Sequence, residues 1–239
     1  MSHVDYVGWA RFALEMLLGH GLSLPGGGKP VLLLETACGT GTVAGLLALQ
    51  GYDVDAFDAS PAMIDVARIK ARIFSRKPGF FVADFLSLDA SERYDAVLCL
   101  YDSMNYLKRL KELVDFMGRV RRALKPDGLF LFDVCTEFNS RVNFSNRKED
   151  EKGSGYHYIR EMRFYPKEMI QENRFKIMLD SRPGMTIYER HQQRIYSLGA
   201  VRRALAKAHL QLLEETEGFD RRPPGPEALR VHFICKKPK

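Results

Sequence analysis

The rhythm of apolar and polar positions changes twice along the chain. At residues 4–19, Val7, Ala10, Phe12, Ala13, Leu14, Leu17 and Leu18 recur at helical spacing and predict an N-terminal helix. Residues 19–30 hold Gly21, Pro25 and Gly26-Gly27-Gly28, which read as a loop. From Val31 onward, short apolar runs alternate with helical stretches. Strands are predicted at 31–34, 52–57, 80–83, 94–100 and 129–134. Helices fall between them at 42–50, 60–74 and 107–124. Ser60 is suited to cap the second of these, with Pro61 in its first turn, and Pro126 and Gly128 end the third. The alternation predicts an α/β fold, a doubly wound parallel sheet with helices on both faces.

After Val134 the helical period disappears. Phe, Tyr, Met and Ile alternate with charged residues at 156–165, 169–179 and 185–196, with turns at Gly153 to Gly155 and at Ser181-Arg182-Pro183-Gly184. These read as an antiparallel β insertion. A helix at 197–208, capped by Ser197, and a strand pair at 211–219 and 229–236 then close the chain. The expected organisation is therefore an N-terminal helix and loop (1–30), a core (31–135), an antiparallel insertion (136–196) and a return to the core sheet (197–239).

Composition narrows the class. Of 239 residues 46% are hydrophobic and 28% charged, which suits one folded domain with a modest insertion. No apolar run approaches the roughly 20 residues that span a bilayer. The first residues carry Asp5 and no basic region, so no secretory signal is read and a cytoplasmic protein is expected. Cys38, Cys99, Cys135 and Cys235 form no CxxC pair, so neither a metal site nor a disulfide framework is expected. The net charge of +6 leaves an acidic partner such as RNA open. The basic residues at 68–76, 108–122 and 202–207 equally fit the solvated faces of helices.

Candidate chemistry concentrates where the first strand runs into Glu35-Thr36-Ala37-Cys38-Gly39-Thr40-Gly41 and then a helix. Gly39 and Gly41 let backbone approach a ligand at a helix N-terminus. Gly39-x-Gly41-x-x-Ala44 followed by Asp58 also satisfies a dinucleotide fingerprint. Glu35 argues against that ligand, because a carboxylate there repels a pyrophosphate and suits an ammonium or sulfonium. Asp58 leads into Ala59-Ser60-Pro61-Ala62-Met63, where Met63 offers an apolar platform for a flat base or packs as plain core. Asp84, after the third strand, is placed to accept from an exocyclic amine. An amino acid, a ribose and an adenine each meet a suitable group.

At these residues the sequence resembles the class I S-adenosylmethionine-dependent methyltransferases, in particular small bacterial members with a D-S-x-N-Y-L segment after strand four. That segment is here Asp102-Ser103-Met104-Asn105-Tyr106-Leu107, preceded by Cys99-Leu100-Tyr101. Ala83-Asp84-Phe85, Leu124-Lys125-Pro126-Asp127-Gly128 and the late His191-Gln192-Gln193-Arg194-Ile195-Tyr196 also match. The resemblance implies a seven-stranded, mostly parallel Rossmann-like sheet with one antiparallel strand. It implies S-adenosylmethionine as cofactor and S-adenosylhomocysteine as product. Glu35 and the carbonyl of Ala37 would hold the amino group, and Asp58 the ribose. Met63 would pack on adenine, and Asp84 with the backbone of Phe85 would read its edge. Gly39, Gly41, Ala59 and Leu100 complete the set, and Tyr6 and Trp9 would cover the cofactor or simply pack their helix. Two departures are Ala37, where many members have glycine, and Asp127, where a glycine is common.

The acceptor should approach behind strand four. Tyr101 and Asp102 are candidate catalytic groups, although Asp102 or Ser103 could equally cap the next helix. His191 is the best isolated base by chemistry, against the plain reading of a structural histidine in a strand. Arg194 falls on the other strand face. A small-molecule acceptor at nitrogen or oxygen is the leading expectation. RNA or protein methylation on the basic surface and a non-catalytic cofactor-binding protein are the alternatives. The segment after strand four lacks a D/N-P-P-Y/F pattern for stacking a flipped base and a Pro-Cys nucleophile, which argues against nucleic-acid base chemistry.

Overall fold

The computed structural model describes residues 4–26 and 29–239. Gly27 and Gly28 of the predicted glycine loop lie outside the described residues. Asp5 caps α1 (Tyr6–Gly19) by accepting the Gly8 N–H at 2.8 Å. β1 (Leu32–Thr36), α2 (Thr42–Leu49), β2 (Asp53–Asp58), α3 (Pro61–Lys70), β3 (Gly79–Val82) and β4 (Tyr94–Cys99) follow in the expected alternation. α4 (Leu110–Ala123) then runs directly into β5 (Leu124–Cys135). After the insertion come α6 (Leu198–Lys207), β10 (Gln211–Glu217) and β11 (Arg230–Lys236); the insertion's own elements are numbered α5 and β6–β9 below.

The main sheet has seven strands in the order β10-β11-β5-β4-β1-β2-β3. β1 pairs in parallel with β2 and β4, and only β11 runs against its neighbours β5 and β10. The chain therefore winds outward from β1 to β3 and resumes on the other side with β4. The strand order reverses beside β1, and the crevice outside the carboxyl ends of β1 and β4 is the place where such sheets bind ligands. Period-two alternation fills both faces. Leu129 and Leu131 join a core with α1 and α2, while Phe130 and Phe132 join the opposite core with α4 and α6.

The insertion begins with α5 (Glu137–Asn143), capped by Thr136. It continues as a four-stranded antiparallel meander of β6 (Arg147–Gly153), β7 (Tyr156–Tyr165), β8 (Ile170–Leu179) and β9 (Thr186–Arg194). Neither α5 nor β6 was expected. β6 reads Arg-Lys-Glu-Asp-Glu-Lys-Gly, and a fully charged edge strand gives no apolar alternation to detect. The helix expected at 107–124 starts instead at Leu110, because Ser103–Tyr106 forms a separate 3-10 turn. Pro126 and Gly128 do not form a loop before β5. They lie in a bulge inside it, where the pairing with β4 jumps from Leu124 to Leu129 and Asp127 takes φ 64°.

Candidate functional site

Glu35 stands near the carboxyl end of β1, 4% exposed. One carboxyl oxygen, Oε2, is buried without a hydrogen-bond partner among the described residues. Burial, with the charge of Asp58 adding to it, pushes this carboxyl up to about 8 despite a backbone N–H from Ala44. The following turn is tight. Ala37, Gly39 and Gly41 all have positive φ, at 53°, 53° and 70°. A Cβ on Gly41 would stand 2.6 Å from the Phe80 ring, so glycine is required there. A Cβ on Gly39 would meet no protein atom within 4 Å, so that stretch of backbone is bare toward the crevice. Ala37 holds the same left-handed geometry with a side chain, a mild strain that a glycine would not carry.

Asp58 ends β2 and organises this turn. Its Oδ2 accepts the Gly39 N–H and its Oδ1 the Ser60 N–H, both at 2.9 Å. Each oxygen keeps lone-pair capacity for a further donor. Ser60, not Asp58, caps α3, accepting the Met63 N–H at 3.4 Å. Met63 is 40% exposed on the first turn of α3, and Ala59 is exposed beside it. Asp84 is exposed after β3 and accepts the Leu86 N–H at 2.9 Å through Oδ1. The Phe85 ring turns inward, 4.6 Å from the Phe116 ring, leaving its backbone at the edge. Leu100 is buried. The Tyr6 phenol is pushed up by burial and then by Tyr101 and Glu35, which places α1 against the same end of the crevice.

Behind β4 the polar residues divide by role. Tyr101 and Asp102 are consecutive left-handed residues, φ 61° and 51°. Tyr101 is 45% exposed. The Asp102 carboxylate is committed inward, accepting from Arg230 Nη2 and from Gln193 Nε2, each at 2.7 Å. Ser103 donates to the Leu100 carbonyl at 2.7 Å. Asn105, fully buried, donates to the Arg194 carbonyl at 2.7 Å and accepts the Cys135 N–H at 3.0 Å, tying the turn to β9 and β5.

His191 reaches the same mouth from β9. Its Nδ1 lies 3.2 Å from the Tyr106 hydroxyl and its Nε2 3.2 Å from Glu189 Oε2. The carboxylate fixes the proton on Nε2, so Nδ1 accepts from the phenol. Burial, then the charge of Asp102, pushes the Tyr106 phenol up to about 12. Tyr106 was not singled out from the sequence. It lay in view within the segment after strand four, but its partner is 85 residues away. On the same sheet face, Arg160 lies 5.4 Å from the Phe175 ring centroid and 5.5 Å from that of Phe144, donating to Asn173 at 3.0 Å and Glu149 at 3.2 Å. Phe175 meets His191 edge-on at 5.7 Å. The inner face of the insertion is thus aromatic with a few fixed polar groups, the composition of a small-molecule pocket wall.

Residues 33–128 match the methyltransferase domain family. The fold is shared with methyltransferases of known structure. Over its whole length the chain is 28% identical to the Bacillus subtilis protein named "Putative methyltransferase YqeM", covering 93% of that protein. A protein of the same description from Geobacillus sp. (strain WCH70) is 29% identical over 99% of this chain and 95% of its own. Among solved structures, an S-adenosylmethionine-dependent methyltransferase from Clostridium acetobutylicum superimposes with a TM-score of 0.86 at 22% identity, covering all of this chain and 94% of its own. The sugar N-methyltransferase KedS8 from Streptoalloteichus superimposes at 0.76 with 20% identity over 98% and 89% of the two chains. The fold likeness therefore includes the insertion, which lies beyond the matched domain segment.

Proposed function

We propose that this protein is an S-adenosylmethionine-dependent methyltransferase acting on nitrogen or oxygen of a small-molecule acceptor, with residues 136–196 as a lid over it. The observation that carries the reading is Glu35. A buried carboxyl with one oxygen unpartnered, next to bare glycine backbone and a half-satisfied Asp58, fits a ligand with a cationic amino-acid end and a ribose. Glu35 and the Ala37 carbonyl would hold the ammonium, Asp58 the ribose hydroxyls, Met63 the adenine face, and Asp84 with the Phe85 backbone the adenine edge. When bound, S-adenosylmethionine supplies a methyl group already electrophilic on its sulfonium. The remaining task of the chain is to orient the acceptor and to accept its proton.

Tyr106, His191 and Glu189 suit that task as an array. A proton from the acceptor passes to the Tyr106 oxygen as the phenol's own proton moves to His191 Nδ1, and Glu189 stabilises the imidazolium through Nε2–H. Asp102 is assigned to positioning, since its carboxylate is already shared between Arg230 and Gln193. Tyr101 is assigned to the wall of the site. The placement of positive charge supports a small acceptor over RNA. A basic groove of about 390 Å³ lined by Arg119, Arg121, Arg122, Lys207 and His209 sits at the C-terminal ends of α4 and α6. Those ends lie at the amino edge of the sheet, opposite the crevice. By name, a ubiquinone biosynthesis O-methyltransferase 30% identical over 43% of this chain and the sugar N-methyltransferase of similar fold bracket the acceptor chemistry favoured here.

Calorimetry should show S-adenosylhomocysteine binding and no binding of NAD. Radiolabelled methyl transfer to a panel of amino sugars, phenols, RNA and protein should then label a small molecule. Tight NAD binding without S-adenosylhomocysteine binding would overturn the reading.

A further inference from the structure

The last strand sends one side chain back to the catalytic turn. Arg230, at the start of β11, donates from Nη1 to Asp133 of β5 at 2.9 Å and from Nη2 to Asp102 at 2.7 Å. Asp133 is fully buried, and its Oδ2 also accepts the Asp102 N–H at 2.6 Å. The guanidinium lies 4.7 Å from the Tyr101 ring centroid and 5.1 Å from the Trp9 ring centroid. The two rings meet edge-on at 5.7 Å. One planar cation therefore holds the buried Asp133 and the part-buried Asp102 through its fork and lies against two neighbouring aromatic rings, a combination that suits arginine.

Its neighbours are the parts of the site that need holding. Tyr101 and Asp102 sit in a conformation that non-glycine residues avoid, and such turns persist only when their surroundings over-determine them. Here the Asp133 carboxylate fixes the turn's backbone and Arg230 fixes the Asp102 side chain. From Asp102 the network continues into the lid. Gln193 donates to Asp102 at 2.7 Å, Gln171 donates to Gln193 at 2.9 Å, and Ser140 donates to Gln171 at 2.8 Å. On the other side Trp9 belongs to α1, whose Tyr6 stands with Tyr101 and Glu35. The core sheet, the N-terminal helix and the lid meet at one guanidinium.

We propose that Arg230 is a positioning residue, which, by clamping Asp102 to Asp133 and packing against Trp9 and Tyr101, shapes the wall around the amino-acid end of the cofactor. The proposal rests on the S-adenosylmethionine reading above. It separates the two ends of the ligand. The adenosine end meets Asp58, Met63 and Asp84, none of which contacts the network. The amino-acid end meets Glu35 beside Tyr6 and Tyr101.

The test compares S-adenosylhomocysteine with 5′-methylthioadenosine, which keeps the thioether and adenosine and lacks the amino acid. Calorimetry on wild type, Arg230→Met and Arg230→Lys gives the affinities. Circular dichroism reports the fold. Emission of Trp9, the one tryptophan of the chain, reports loss of the cation beside its ring. Arg230→Met should weaken S-adenosylhomocysteine by about tenfold or more and leave methylthioadenosine within about twofold. Arg230→Lys keeps a charge against the buried carboxylates and so preserves the fold. It should show the same selective loss, because an ammonium lacks the planar fork that engages both carboxylates and the flat face that packs against the rings. If Arg230→Met does not fold, Arg230→Lys alone decides. Equal weakening of both ligands, or unchanged S-adenosylhomocysteine affinity, overturns the positioning role while leaving the cofactor assignment intact. Failure of the wild type to bind S-adenosylhomocysteine overturns both.

Discussion

Glu35 and Asp58 are both carboxylates at strand ends, yet their surroundings give them opposite tasks. Glu35 is desolvated and half-satisfied, so the free protein keeps it protonated up to about pH 8. An unfolded glutamate loses its proton near 4.5. Stability of the free protein should therefore fall as pH rises between those values, because the folded state binds the extra proton there. An incoming ammonium reverses the preference. S-adenosylhomocysteine binding at about pH 6.5 should release close to one proton from Glu35, falling to half near pH 8. Calorimetry in buffers of different ionisation enthalpy measures this, and Glu35→Gln should abolish it. A release that persists in that variant would move the proton to another group. Asp58 is instead held as an acceptor by two backbone N–H groups, ready for two hydroxyls. Asp58→Ala should weaken S-adenosylhomocysteine by roughly 10- to 150-fold in a folded protein, and unchanged affinity would leave it only the loop to hold. Their places at strand ends were legible in the sequence, because Glu35 directly precedes the glycine turn and Asp58 closes the next apolar run. Tyr106, Glu189 and Arg230 were not, because each acquires its partner only through long-range folding.

At the scale of elements, the parallel core was readable because its strands are buried on both faces and its helices keep a clear period. The insertion was half readable. β7, β8 and β9 announce themselves by alternation, but β6 is all charge and α5 has only seven residues. The antiparallel β11 carries a further consequence at its contact with α1. His232 is buried, packed 4.5 Å from Phe12 and 5.5 Å from Trp9, ring to ring. Burial and the neighbouring Arg230 cation bring it down to about 4 from an ordinary 6.5. The folded state thus excludes a proton that the unfolded chain takes up. The stability this represents is intact above about 6.5 and is lost as pH falls toward 4, about 3 kcal/mol in all. Urea unfolding at about pH 7 and pH 4.5 should show wild type losing about 2 kcal/mol more than His232→Leu. Equal losses in the two proteins would mean that the histidine is relieved locally, without unfolding α1 from the sheet.

At the scale of the molecule, the chain combines a seven-stranded sheet that carries the candidate cofactor groups with a four-stranded sheet that we propose as a lid over them. The two are joined where the turn after β4 meets β9, through Asn105, Gln193 and the Tyr106–His191 pair. The candidate cofactor groups fall on the first sheet and its helices, whereas His191 and Glu189 fall on the second. Changes in the lid should therefore act on transfer and spare cofactor binding. With an acceptor in hand, His191→Ala and Tyr106→Phe should each lower kcat by about a hundredfold, the scale of a lost acid–base step, and leave S-adenosylhomocysteine affinity within about twofold. Because both residues serve one proton path, the double variant should be little worse than either single one. Wild-type turnover in either variant would make the pair a structural hinge between turn and lid. Collapse of cofactor affinity would show that the second sheet supports the first site directly, and that the two sheets do not divide the labour between cofactor and acceptor.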